Sequence, residues 1–409
     1  MKRRIAQLPL HWGKAPPWLF KRMVRLAGAV TMAVVDEYGP EEVLRRLADP
    51  WWFQAFGCVL GFDWHSSGVT TVTCGALKEA AKTFGGHLGI LVAGGKGATS
   101  RRTPQEIARS ADRYGITTGD RLIFTSRITA KVDSAAVQDG YQVYHHSFFF
   151  TPSGAWCVVQ QGMNEAERAA RRYHWLGETV TDFVCEPHSA ISDLCHGGSR
   201  PAVREPEGTG FAEGGSEVRY GRARPAVAPG DLPLLNMVAR EAEANRRASA
   251  ALVRDDPDRL AREIAALTEG ATLFAPGHHQ VLAEDVSSDR LRKAIRLAHE
   301  CDPQDFVTLL GTRGVGARTI RSLSLLAELI YGAPAARRDV VPQQEVPAEP
   351  GKWADYSFAH GGKDGHPFPV DRGLYDRSIA VLTEAVRRAR VGDREKTEAL
   401  KRLAGHLGQ

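Results

Sequence analysis

The sequence predicts an α/β or α+β N-terminal domain over residues 1–190 and an all-α C-terminal domain over residues 232–409, joined by a Gly/Pro-rich stretch. Three observations carry that expectation. Residues 17–190 alternate helical runs with short segments rich in β-branched and aromatic residues. Residues 191–231 are rich in glycine and proline with little apolar periodicity, as in a flexible linker or insertion. From Leu232 onward, apolar residues recur at helical spacing.

"PWLFKRMVRLAGAVTMAVVDEYG" reads as a helix, and Pro40 opens a second one, "PEEVLRRLADP", which Pro50 is expected to close. "FQAFGCVLGF" is expected as a strand, "DWHSSG" as a loop and "VTTVTCGALKEAAKTF" as a helix. "HLGILVAGG", "RLIFTSRIT", "YQVYHHSFFFT" and "AWCVVQQG" are expected as strands, the last two paired as a hairpin around "PSG". "RRYHW" is expected to pack on the domain surface, with stacking on a base as the alternative. The C-terminal helices are "LPLLNMVAREAEANRRASAALV", "PDRLAREIAALTEG", "SSDRLRKAIRLAHE" with Ser288 or Asp289 as cap, "PQDFVTLLGTR", "ARTIRSLSLLAELIYG" and closing helices beyond residue 370.

The chain has 409 residues, 43% hydrophobic, with 53 Lys and Arg against 48 Asp and Glu, a net charge of +5. That balance permits a nucleic-acid partner without demanding one. No apolar run is long enough to span a bilayer, and no apolar region follows the basic N-terminus, so a cytoplasmic protein without a membrane partner is expected. Six cysteines at 58, 74, 157, 185, 195 and 301 show no repeated spacing, which points to reduced, mostly buried thiols. "CEPHSAISDLCH" fits no usual zinc-finger spacing.

"GTRGVGARTIRSL", residues 311–323, calls for a ligand. Gly314 and Gly316 present no Cβ, and Val315 plugs the core beneath them. The amides of Gly316, Ala317 and Arg318 open a helix without intrahelical partners and suit a phosphate oxygen, with Thr319, Arg318 and Arg321 beside them. The segment resembles the helix-hairpin-helix DNA-binding motif shared by repair glycosylases, nucleases and ligases. That resemblance implies DNA as partner, gripped by its backbone with little base specificity. "AGGKGATSRRTP" adds Lys96, Arg101 and Arg102 as further phosphate contacts. It lacks the full P-loop, so nucleotide hydrolysis is not expected. Ser66 and Ser67 of "FDWHSSGVTT" could hold another anion.

Two clusters are candidates for chemistry. Lys131, Asp133, Asp139, His145 and His146 surround strand-like segments, with Gln160, Gln161 and Asn164 nearby. Asp133, Asp139 and His146 are the expected ligands of Mg²⁺ or Mn²⁺, as a metal-dependent nuclease would need. Strand alternation sends His145 and His146 to opposite faces. The bland reading of the same residues is a helix cap, a turn and a buried, satisfied histidine. In "YSFAHGGKDGHPFPVDRGLYD", Lys363, Asp364 and Asp371 form a second catalytic set. "PVD" resembles the Val-Asp of helix-hairpin-helix glycosylases. Asp371, however, lies farther beyond the hairpin than that family has it, and Arg318 stands where its lyase members keep lysine.

"GKAPPWLFKRM", "DWHSSGVTT", "KVDSAAVQDGYQVYHH", "VVQQGMN" and "HGGKDGHPFPVD" together resemble an uncharacterised prokaryotic domain-of-unknown-function family over nearly the whole chain. That resemblance implies no activity. The residues themselves lead to the expectation of a DNA-processing enzyme, a metal-dependent nuclease, with a homodimer as one assembly open to it. A base-excision glycosylase and a non-enzymatic DNA-binding protein are the alternatives.

Overall fold

The computed structural model describes residues 5–9, 15–61, 67–188, 234–269 and 289–340, with Asp376 and Ala380. At its centre is a five-stranded sheet of β1 (Ile5–Pro9), β2 (Leu91–Lys96), β4 (Gln142–Phe150), β5 (Trp156–Asn164) and β6 (Ala169–Leu176). The strand order is β1-β6-β5-β4-β2, and every pairing is antiparallel. A mixed helix-and-sheet protein is therefore present, and its antiparallel sheet is of the α+β kind. The expected hairpin is β4 and β5, with Phe150 opposite Trp156. A second, two-residue pair joins β3 (Val137–Gln138) to β7 (Leu235–Asn236).

Helices cover both faces because both are apolar. Phe149, Cys157, Val159 and Leu176 pack against α1 (Pro17–Tyr38), α2 (Pro40–Leu47), α3 (Pro50–Val59) and α4 (Gly68–Phe84). Phe148, Phe150, Val158, Tyr173 and Trp175 pack on the other face. There they meet α5 (Thr103–Tyr114), α6 (Gly119–Lys131) and residues of α7 (Glu243–Leu252), α8 (Pro257–Glu269), α9 (Asp289–Glu300), α10 (Phe306–Gly311) and α11 (Ala317–Tyr331). Two-sided burial explains continuous apolar runs such as "SFFF" where a half-exposed strand would alternate. One core cluster runs from Leu91 to Val340, so the segments before and after residues 191–231 share a single apolar interior.

Two expected strands are helices. "FQAFGCVLGF" lies mostly in α3, which Pro50 opens at its first position. Proline suits that position because its missing N–H would lack an intrahelical partner anyway. "RLIFTSRIT" forms α6, whose buried side combines Leu122, Thr125, Ser126 and Thr129 at helical spacing. Hydroxyl residues on the buried side hid that period. Within the stretch expected as helix from Leu232, Leu235–Asn236 form β7, and α7 opens only at Glu243. Among the described residues no helix is long and apolar enough to cross a membrane. The thiols of Cys58, Cys74 and Cys157 are buried, Cys185 is half-buried and Cys301 is exposed.

Candidate functional site

α10 and α11 are joined by the turn 312–316. Asp305 caps α10, its Oδ1 accepting from the Thr308 amide at 2.7 Å. Val315 is buried beneath the turn, while Gly314, Arg313 and Arg318 are exposed. Gly314 has φ +89°, a left-handed conformation that favours glycine. Gly316 differs: its φ of −143° is ordinary extended backbone, and a Cβ there would meet nothing within 4 Å. Neither conformation nor packing asks for glycine at position 316. No side chain caps the N-terminus of α11. Thr319 and Arg321, expected beside the phosphate, turn inward instead. Both are buried, and Arg321 Nε donates to Gln138 Oε1 at 2.8 Å.

The turn is mounted on residues 131–138. Lys131 Nζ donates to the carbonyl oxygens of Thr312, at 3.3 Å, and Val315. Gln138 Nε2 donates to Ala317 O at 2.8 Å and to Ala135 O at 2.9 Å. Lys131 was expected to be catalytic; its ammonium instead clamps the turn, and burial lowers its pKa below the usual lysine value.

Two residues beyond Lys131, Asp133 is fully buried in the π-helical turn 132–136. Its Oδ2 accepts from Gln160 Nε2 at 2.6 Å and from the Trp175 indole at 2.9 Å. Gln160 Oε1 must then accept from His146 Nδ1, 2.9 Å away, which leaves His146 Nε2 to accept from Ser126 Oγ at 2.9 Å. A directional chain therefore runs from Ser126 through His146 and Gln160 to Asp133. It has the order of a nucleophile, a base and an orienting acid. Yet Ser126 is buried on α6, so the chain fixes protons rather than presenting a hydroxyl to substrate. Burial pushes the His146 pKa down to about 4, which keeps the ring neutral. His188 Nε2 stands 2.6 Å from Asp133 Oδ1 without hydrogen-bond alignment, its ring edge-on to Trp175.

Asp139 lies in an adjoining network. Its Oδ2 accepts from Arg171 Nη1 at 2.6 Å and Tyr173 Oη at 2.7 Å, and its Oδ1 from the Tyr141 amide at 3.2 Å. Arg171 also forks onto both oxygens of Asp339, at 2.7 and 2.9 Å.

The expected metal ligands Asp133, Asp139 and His146 are each engaged in hydrogen bonds within the protein. Asp133 Oδ2 and Asp139 Oδ2 each already accept two hydrogen bonds, Asp133 Oδ1 faces His188, and both His146 nitrogens are engaged. Among the described residues no three His, Cys, Asp or Glu side chains converge as a metal site. His145 lies on the opposite sheet face, where burial first and the charge of His146 second push its pKa down to about 3.

That opposite face carries its own polar row. Lys96, His145, Gln161 and Arg172 are aligned across β2, β4, β5 and β6. "RRYHW", expected at the surface, is buried from Arg171 to Trp175. Arg172 donates to His174 Nε2 (2.7 Å), Gln54 Oε1 (3.0 Å), Thr70 Oγ1 (3.3 Å) and Pro50 O (3.2 Å). With only neutral acceptors around it, burial lowers its pKa to about 9. Gln161 Nε2 donates to Ser67 O at 3.0 Å, and Ser67 is itself buried. Lys96, Arg101 and Arg102 are exposed at and after the edge strand β2. Lys363, Asp364, Asp371 and Ser66 lie outside the described residues.

Sequence reasoning passed over His188, Tyr173 and Trp175 as partners of the two aspartates. For Tyr173 the signal was register: His146, Gln160 and Tyr173 are successive cross-strand neighbours on β4, β5 and β6.

The family described as protein of unknown function (DUF763) matches residues 4–199 and 227–370. The chain belongs to the DUF763 family. No curated protein and no solved structure matches it. The DUF763 match includes both the 312–316 turn and the Asp133 network; it omits residues 200–226, within the Gly/Pro-rich stretch, and stops one residue short of Asp371.

Proposed function

We propose that this DUF763 protein grips the sugar-phosphate backbone of duplex DNA through residues 312–318, used as a helix-hairpin-helix. The observation that carries the reading is Gly316. It is a glycine that neither its φ of −143° nor any neighbour within 4 Å requires, at the uncapped start of a 15-residue helix. A phosphate oxygen seated on the amides of Gly316, Ala317 and Arg318 supplies the missing reason, because any side chain at 316 would stand in its way. Arg313 and Arg318 add exposed charge on either side. Such contacts position the protein and carry no base information.

Asp133, Asp139 and His146 serve in this reading as the frame beneath the turn. Their hydrogen-bond partners support backbone binding over metal-dependent cleavage. Titrating a fluorescent duplex with the protein at increasing salt tests the proposal. The expected result is binding that does not depend on base sequence and weakens steeply with salt. Running the same mixtures on a denaturing gel with Mn²⁺ or with EDTA tests the frame assignment. Strand scission in Mn²⁺ that disappears in Asp133→Asn would overturn it, and no retention of duplex at low salt would overturn the binding itself.

A further inference from the structure

α9 lies directly beside the glycine turn. A Cβ placed on Gly314 would stand 3.6 Å from the Ala294 Cβ and 3.9 Å from Leu297 Cδ1. The turn therefore rests on the Ala294–Leu297 edge of α9. Helical geometry, at about 3.6 residues per turn, puts Arg290 one turn before Ala294 on that same edge. Lys293 is one residue before Ala294 and four before Leu297, on the solvent side of the edge. Both are exposed, and neither has an ion-pair partner among the described residues. The other two cations of the helix face away. Arg296 Nη2 donates to Asp258 Oδ1 of α8 at 2.7 Å, and Arg292 adds to the field that lowers the Asp258 pKa behind the direct Arg296 hydrogen bond.

We infer that Arg290 and Lys293 form a second contact track for the duplex, continuing the phosphate path from the 312–316 turn along α9. The inference rests on the duplex-binding reading of the turn and adds to it. α9 uses one cationic edge on nucleic acid and the other on α8. Charge complementarity selects the occupant, because two exposed cations, without an ion-pair partner among the described residues, lie beside the opening amides of α11 and form a surface for a regularly spaced polyanion. A protein partner would need an apolar centre. On this edge the exposed residues, Arg290 and Lys293, are charged, Ala294 is buried and Leu297 is half-buried beneath the turn.

The test compares two double variants of equal charge change, Arg290→Gln/Lys293→Gln and Arg292→Gln/Arg296→Gln, in the full chain. Circular dichroism shows that each is folded, and duplex affinity is then measured from low to moderate salt. The first pair is expected to flatten the plot of log affinity against log salt by about 2, roughly one unit per lost phosphate contact, and to weaken binding about tenfold or more. The second pair leaves the slope as in the unaltered protein. Equal slopes in all three proteins, or equal losses in both variants, would overturn the second track. If the unaltered protein binds duplex and Gly316→Val weakens it while Arg290→Gln/Lys293→Gln does not, only this inference fails. If the unaltered protein retains no duplex, both fall.

Discussion

Lys131 Nζ donates to the carbonyl of Thr312 across 3.3 Å, tying the end of α6 to the glycine turn. That ammonium also reaches Val315 O, so one side chain stitches the sheet-covering layer to the proposed DNA-contacting edge. Replacing Lys131 by Met removes both bonds, leaving Thr312 O with only the Val315 amide and Val315 O without the ammonium. A loss of about 1–3 kcal/mol is expected, with duplex affinity falling as the turn loosens. Urea denaturation and anisotropy titration of the same preparation check both effects.

Lys131 also sets a pH dependence. Burial lowers its folded-state pKa below the ordinary 10.5, so between those values only the unfolded chain keeps the proton. Stability contributed at this site therefore rises with pH through that window and levels off above 10.5. Denaturation midpoints across the alkaline range should show this rise in the unaltered protein and lack it in Lys131→Met.

The two buried histidines act on the acid side. His145 and His146 are pushed down from 6.5 to about 3 and about 4 by burial. Between those values and 6.5 only the unfolded chain binds the protons. Their contribution is thus fully present above the ordinary value and is lost as the pH falls towards the folded one. Each costs up to about 1.4 kcal/mol per pH unit within its window. Equilibrium denaturation from neutral pH downward measures the slope, and His146→Gln should make it shallower.

Asp133→Asn sets an amide where Gln160 and the Trp175 indole both donate. An Asn nitrogen at the Oδ2 position would meet two N–H groups, and even an oxygen there would accept more weakly than a carboxylate. A destabilisation of about 2–4 kcal/mol is expected. Urea denaturation gives the magnitude, and a shift of the Trp175 indole resonance reports the broken contact directly.

These networks show where the sequence was readable. The β4–β5 hairpin stood out because "HSFFF" and "WCVV" are short β-branched or aromatic runs separated by Pro-Ser-Gly. The opposite placement of His145 and His146 followed from strand alternation alone. α6 was hidden because Thr125, Ser126 and Thr129 fill a buried side normally marked by apolar residues. His188 and Asp139 belong to networks closed by distant chain, since Arg171 meets Asp139 and Asp339 together. No local pattern announces such a meeting. Gly316 was legible as an oddity, but only its extended φ and empty surroundings distinguish it from Gly314, whose φ requires glycine.

Arg172 tests how the opposite face is held. Lysine keeps the charge but cannot reach the four acceptors of the guanidinium fork at once. Arg172→Lys should lose about 2–3 kcal/mol in urea denaturation, from acceptors left unsatisfied. Duplex affinity should stay unchanged wherever the protein remains folded.

The most direct measurement is the duplex affinity of Gly316→Val set beside its thermal midpoint. Extended backbone and open surroundings should hold the loss for valine to about 1 kcal/mol, the N-cap preference for glycine, whereas Gly314→Ala, at φ +89°, should cost about 1–2 kcal/mol from backbone strain. Phosphate seated on the amides at position 316 predicts at least about a tenfold weaker duplex complex for Gly316→Val, about 1.4 kcal/mol, in a protein still fully folded at the temperature of the titration. A folded Gly316→Val protein that holds duplex as tightly as the unaltered chain would contradict it.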